Sequence, residues 1–181
     1  LTQVLFGEYN PSGKLTMSFP RSVGQMPLYY NHFSTGRPGP KSEVFWSHYT
    51  DESNEALYPF GYGLSYTQFA YSNLQTSVAA DGTILASVQV TNTGKYAGEE
   101  VVQLYMRDKV ASMVRPVQEL KGFKKINLKP GESTQVAFTL TAAELGFYTE
   151  KGAFVVESGE YDIMVGTNSK EVLRATVSTQ R

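Results

Sequence analysis

Cysteine is absent from the 181 residues, so neither a disulfide framework nor a thiolate metal site can hold this chain together. The absence fits a cytosolic and a bacterial periplasmic home equally. Histidine is scarce as well: His32 and His48 have no second nitrogen or sulfur ligand at a metal-like spacing, and no metal is expected. No apolar run reaches the roughly 18 to 20 residues needed to cross a bilayer, and Leu1 to Asn10 has neither a basic leader nor an apolar signal-like core. A membrane is therefore not an expected partner. Nor is there an excess of one charge, since 16 basic and 17 acidic side chains leave a formal net charge of -1 with no dense Lys/Arg block. Nucleic acid is excluded with it, because no stretch could track a phosphate backbone.

What is present is a 41% hydrophobic chain, enough for a sizeable core, in three stretches of different texture. Residues 1–20 open on Leu1, Val4, Leu5 and Phe6 at helical spacing, stopped by Gly7. A turn at Asn10-Pro11-Ser12-Gly13 follows, and Leu15, Met17 and Phe19 then alternate in a short, half-buried strand ended by Pro20. The end of a helix and one strand make no domain, and this stretch reads as the last piece of an α/β layer whose other elements precede residue 1. Residues 21–66 show no steady period of 2 or 3.6, but they are rich in aromatic side chains from Tyr29 to Tyr66. They read as a long irregular connecting arm, laid on an upstream domain and ordered only by that contact, since so many rings need a surface.

Residues 67–181 change character. Short runs alternating apolar and polar residues are separated by turn chemistry at Ala80-Asp81-Gly82, Asn92-Thr93-Gly94 and Lys129-Pro130-Gly131-Glu132. The pattern predicts an all-β, immunoglobulin-like sandwich of about seven strands. Val88, Val90, Leu104, Val136, Phe138, Ile163 and Val165 are its expected core, and one helical turn is allowed at Thr141 to Leu145.

Cleavage of a glycosidic bond normally needs two facing carboxylates, and no such pair is expected here. Glu99, Glu100, Glu132, Glu150, Glu157 and Glu160 fall at turns or in loops and read as solvated surface charges. Ser22 and Ser65 sit in no nucleophile elbow. Gly61 and Gly63 lack the Lys-Ser/Thr of a phosphate loop and read as turn glycines that let aromatic rings pack on either side. The stretch 43–51 carries the strongest functional signal, since the chain's only tryptophan, Trp46, stands beside His48, Tyr49 and Asp51. Rings with adjacent hydrogen-bonding groups suit sugars, and these four residues are the candidate substrate-binding set. The competing reading is an aromatic anchor that docks the arm.

Several strings resemble glycoside hydrolase family 3. Val4-Leu-Phe-Gly, Asn10-Pro-Ser-Gly-Lys-Leu, Ser18-Phe-Pro-Arg-Ser-Val-Gly-Gln, Pro27-Leu-Tyr-Tyr-Asn-His and Thr35-Gly-Arg-Pro are similar to the end of its catalytic region. Leu57-Tyr-Pro-Phe-Gly-Tyr-Gly-Leu-Ser-Tyr-Thr is a hallmark of the same family. Val90-Thr-Asn-Thr-Gly, Gly98-Glu-Glu-Val-Val-Gln-Leu-Tyr and Arg115-Pro-Val-Gln-Glu-Leu-Lys-Gly-Phe resemble its fibronectin type III-like domain. The likeness covers nearly the whole chain and points to the bacterial periplasmic β-glucosidases.

That resemblance implies a parent enzyme whose nucleophilic aspartate lies in a barrel and whose acid glutamate lies in an αβα sandwich domain, both ahead of the matched stretch. It also implies that the α/β layer of residues 1–20 is the end of that αβα sandwich domain. Retention through a covalent glycosyl-enzyme is then the implied mechanism of the parent. No catalytic residue carries over to this chain, and no cofactor is implied. The expected partners are those upstream domains, the parent's β-glucoside substrate and, as an open alternative, a second copy in a homodimer. His48 departs from the family pattern, in which arginine stands between the serine and tyrosine. A non-catalytic C-terminal module that stabilises the catalytic domains is the first expectation. A carbohydrate-binding module and an independent adhesion domain are the alternatives.

Overall fold

Period-two alternation from residue 69 onward becomes seven long strands in two antiparallel sheets. The computed structural model describes residues 1–34, 36–37 and 46–180. The three-stranded sheet is ordered β1-β2-β5, from β1 (Phe69–Val78), β2 (Ile84–Asn92) and β5 (Ser133–Leu140). The four-stranded sheet is ordered β4-β3-β8-β9, from β3 (Gly98–Asp108), β4 (Glu119–Leu128), β8 (Gly159–Gly166) and β9 (Val172–Thr179). A two-residue hairpin, β6 (Phe147–Tyr148) with β7 (Phe154–Val155), lies in the connection before β8. The helical turn falls where expected, as α2 (Ala142–Leu145), because Thr141 and Glu144 form a capping box that satisfies the first free amides.

Every expected core residue is buried. Val88, Val90, Leu104, Ile163 and Val165 are sealed from solvent, and Val136 and Phe138 nearly so. Gly122 lies across from Phe138, where an added Cβ would stand 3.3 Å from the ring, so the missing side chain makes room for the phenyl group. At one end of the sandwich the buried Asn92 gathers three segments. Its amide donates to Tyr96 and Leu128 carbonyls, while its oxygen accepts from Thr67 Oγ1 at 2.7 Å and from the Gly94 amide. The Asn92-Thr93-Gly94 turn is thus fixed by a side chain whose hydrogen-bonding groups are all used.

The outer face of the four-stranded sheet departs from expectation. Val102, Leu104 and Met106 enter the core, so Gln103 and Tyr105 point the other way, yet both are buried as well. Their cover is the segment 28–33 together with 57–62. Tyr30 and Phe60 stack at 4.1 Å, and both meet Tyr105 edge-on. Tyr30 Oη accepts from the Leu120 amide, the Ser169 amide donates to Phe60 O, and Phe33 bridges to Pro116. The described arm is therefore held by the chain's own sandwich, against the expectation that only an upstream domain orders it.

The N-terminal stretch is fastened to the same arm. Leu15 and Phe19 exchange backbone hydrogen bonds with Leu57, Tyr58, Gly61 and Tyr62 at 2.8 Å, an antiparallel pairing too brief to form a regular strand. Met17 and Phe19 stay exposed, so the half-buried strand expected there is instead a ribbon with one face open. The N-terminal helix α1 (Thr2–Leu5) is a single turn, exposed at Leu5 and Phe6.

Candidate functional site

Two places on the arm hold convergent polar side chains, one beneath it and one at its free loop. Beneath it lies Glu100, which is 3% exposed, contrary to its reading as a surface charge. Its carboxylate accepts from Lys14 Nζ at 3.0 Å, Tyr71 Oη at 2.8 Å and Thr167 Oγ1 at 2.7 Å. Lys14 also donates to Thr167 at 3.0 Å, so one ammonium and two hydroxyls saturate the buried charge. Burial, reinforced by the Glu100 charge and hydrogen bond, pushes the Tyr71 phenol far above its ordinary value.

This network joins Lys14 in the N-terminal ribbon to β1, β3 and the turn after β8. A second clamp lies beside it. Gln103 donates to Gly61 O at 3.1 Å and to Thr167 O, while Tyr105 Oη donates to Gln103 Oε1 at 2.5 Å. Gly61 has φ +80°, and a Cβ there would stand 2.0 Å from Gln103 Oε1. The glycine serves close approach of backbone to this amide as well as turning the chain. Gly61→Ala is expected to cost about 2–4 kcal/mol, combining left-handed strain with overpacking, as read in urea melts. A loss within about 0.5 kcal/mol, the scale of an ordinary surface change, would show that the arm yields freely.

The free loop contains the four residues singled out for sugar binding. Trp46, His48, Tyr49 and Asp51 are brought together in one loop around a hollow of about 380 Å³. The His48 imidazole stacks on the Trp46 indole at 4.5 Å and 7°, and its Nδ1 lies 2.9 Å from Trp46 O. Asn54 closes the loop, accepting from the Tyr49 amide at 3.0 Å and donating to Ser47 O at 2.9 Å. Among the described residues the Trp46 indole Nε1 is buried without a hydrogen-bond partner. One indole face is thus taken by His48, a contact that spacing alone does not reveal. Residues 43–45 of the same stretch lie outside the described residues.

No group of three or more potential metal ligands occurs among the described residues, and no helix among them is long and apolar enough to cross a membrane. Lys14, Tyr71, Glu100, Gln103 and Thr167 are the polar residues that the sequence reading missed. A signal for Glu100 was present: it shares strand parity with Val102, Leu104 and Met106, the inward-facing set.

An all-β, immunoglobulin-like sandwich carrying a clamped arm is the class of protein these features define, and comparison with known proteins makes it specific. Residues 1–66 match the glycosyl hydrolase family 3 C-terminal domain, and residues 100–169 match the fibronectin type III-like domain. A periplasmic β-glucosidase of Salmonella typhimurium is 50% identical over 95% of this chain and 23% of its own length. A β-xylosidase of Formosa agariphila is 48% identical over 98% of this chain and 24% of its own. The crystal structure of a Listeria innocua β-glucosidase in complex with gluconolactone superposes with a TM-score of 0.90 at 44% identity. That superposition covers 97% of this chain and 25% of the other. The chain belongs to glycoside hydrolase family 3, corresponds to the C-terminal region of its β-glucosidases, and spans about a quarter of the length of these relatives.

Proposed function

We propose that this chain is the non-catalytic C-terminal module of a β-glucosidase-type hydrolase, and that it holds the 46–54 loop at the rim of the parent's sugar pocket. The supporting observation is mechanical. The arm that carries the loop is clamped to the sandwich through Lys14–Glu100 and Gly61–Gln103, so the loop projects from a fixed base. Stabilisation of the catalytic domains is the second half of the role. Most of the large exposed apolar side chains lie in residues 1–66, with Leu5, Phe6, Met17, Val23, Met26 and Leu64 each at least 60% exposed. Such a surface suits the upstream domains of the same protein. A periplasmic location follows that of the Salmonella relative, a periplasmic β-glucosidase. The relatives include a β-glucosidase and a β-xylosidase, so the glycone is assigned only as a neutral β-linked sugar.

The test compares Trp46→Ala with wild type in the full-length enzyme, on a disaccharide and on an aryl monoglucoside. A rim position predicts that the disaccharide loses about tenfold or more in kcat/KM, the scale of one lost stacking surface, while the aryl substrate loses less. Equal losses on both substrates with a lowered Tm would instead make Trp46 a docking anchor.

A further inference from the structure

Between the arm and the outer face of the four-stranded sheet, at Arg107 of β3 and Arg174 of β9, lies a second cavity of about 260 Å³, the size of one pyranose ring rather than a chain. Three cations line it, Arg107, Lys170 and Arg174, against the single carboxylate of Glu55. Two of the three are already engaged. Lys170 Nζ meets Glu55 at 2.5 Å, and Arg174 lies 3.5 Å from Asp162, which Thr176 also holds. Arg107 is different: it is half-buried, and its guanidinium makes no side-chain hydrogen bond or ion pair among the described residues. Asp162, its cross-strand neighbour in register, is committed to Arg174 and Thr176. A half-buried guanidinium facing a cavity retains an unused fork of donors, and the natural complement of that fork is a carboxylate.

The remaining walls suit a sugar. The Tyr29 ring is 63% exposed, and Ser18 and His32 line the same space, as does Gln118, whose amide nitrogen already donates to the Tyr30 and Ser169 carbonyls. Asn54 and Glu55 line this cavity, and Asn54 also closes the hollow around Trp46, so the two spaces adjoin. We propose that the cavity between the arm and the outer face of β3 and β9 binds a carboxylated sugar residue of the uronic acid class, with Arg107 taking the carboxylate. The choice of a sugar rests on the glycosidase reading above, whereas the choice of a carboxylate rests on Arg107 itself. A glycan carrying an acidic residue next to its neutral cleavage site is the substrate class that follows.

The experiment titrates the 181-residue chain with sodium glucuronate, glucose and sodium acetate, following backbone amide shifts by NMR. Glucuronate should perturb amides around Arg107, Lys170 and Arg174, with glucose and acetate each binding about tenfold or more weakly. Arg107→Gln should weaken glucuronate about tenfold, the scale of a lost charge-assisted pair. Lys170→Gln, at an exposed position, should weaken it less and serves as a second variant if Arg107→Gln unfolds. Equal binding of glucose or acetate, no perturbation at these positions, or unchanged affinity in both variants would overturn the proposal. The Trp46→Ala comparison reads the other hollow, so either reading can fail alone.

Discussion

Replacing Glu100 with alanine is expected to destabilise the chain by about 3–5 kcal/mol, the range for removing one partner of a buried ion pair. Lys14 is only 13% exposed at its side chain, so without the carboxylate its ammonium is left with hydroxyl groups that serve better as donors to an anion. The loss has two possible routes. Either the charge stays buried at full cost, or Lys14 swings outward and the N-terminal ribbon leaves the sandwich. A double-mutant cycle with Lys14→Met separates them, because Lys14→Met/Glu100→Ala should recover much of the loss when the charge is the cause. A single-mutant loss below about 1 kcal/mol in urea melts would place the pair among ordinary surface bridges.

Phe138→Ala should cost a similar amount, about 3–5 kcal/mol, by emptying an aromatic site in the core. The ring is 7% exposed, pairs in register with Ala86, and fills the space that Gly122 leaves open. Lys124 Nζ lies over the ring, 5.6 Å from its centroid. Collapse of neighbours into the site is limited, because the cavity would be bounded by strands of both sheets. An unchanged denaturant m-value is expected, and a change in m would mean that unfolding had ceased to be two-state.

The sandwich was legible because its signal is local. In β2, Ile84, Ala86, Val88 and Val90 alternate on one face, and in β5 Thr134, Val136, Phe138 and Leu140 do the same, so both strands follow from period two alone. Turn chemistry at Lys129 to Glu132 sets the boundary between β4 and β5, and Gly131 indeed takes φ +76°. The arm was illegible for the opposite reason. Its order comes from single long-range contacts such as Lys14 with Glu100 and Gly61 with Gln103, which leave no periodic trace. Tyr105 hinted at it: an aromatic residue on the non-core parity of β3 needs a cover, and Tyr30 with Phe60 supply one. The grouping of Trp46, His48, Tyr49 and Asp51 could be read because they are neighbours in sequence. The stacking of His48 on the indole could not, since it depends on how Asn54 closes the loop.

Native-state amide exchange on the 181-residue chain tests most directly whether the sandwich itself holds the arm. The informative probes are the amides of Leu15, Gly61 and Ser169, which donate to Tyr62, Leu15 and Phe60 carbonyls at 2.8, 2.8 and 2.9 Å. Clamping by Glu100 and Gln103 predicts that all three exchange more slowly than unstructured amides by a factor on the order of a hundred or more, and that Glu100→Ala releases Leu15 and Gly61. Exchange of these amides at unstructured rates while β2 and β5 remain protected would contradict it, and would return the arm to the keeping of an upstream domain.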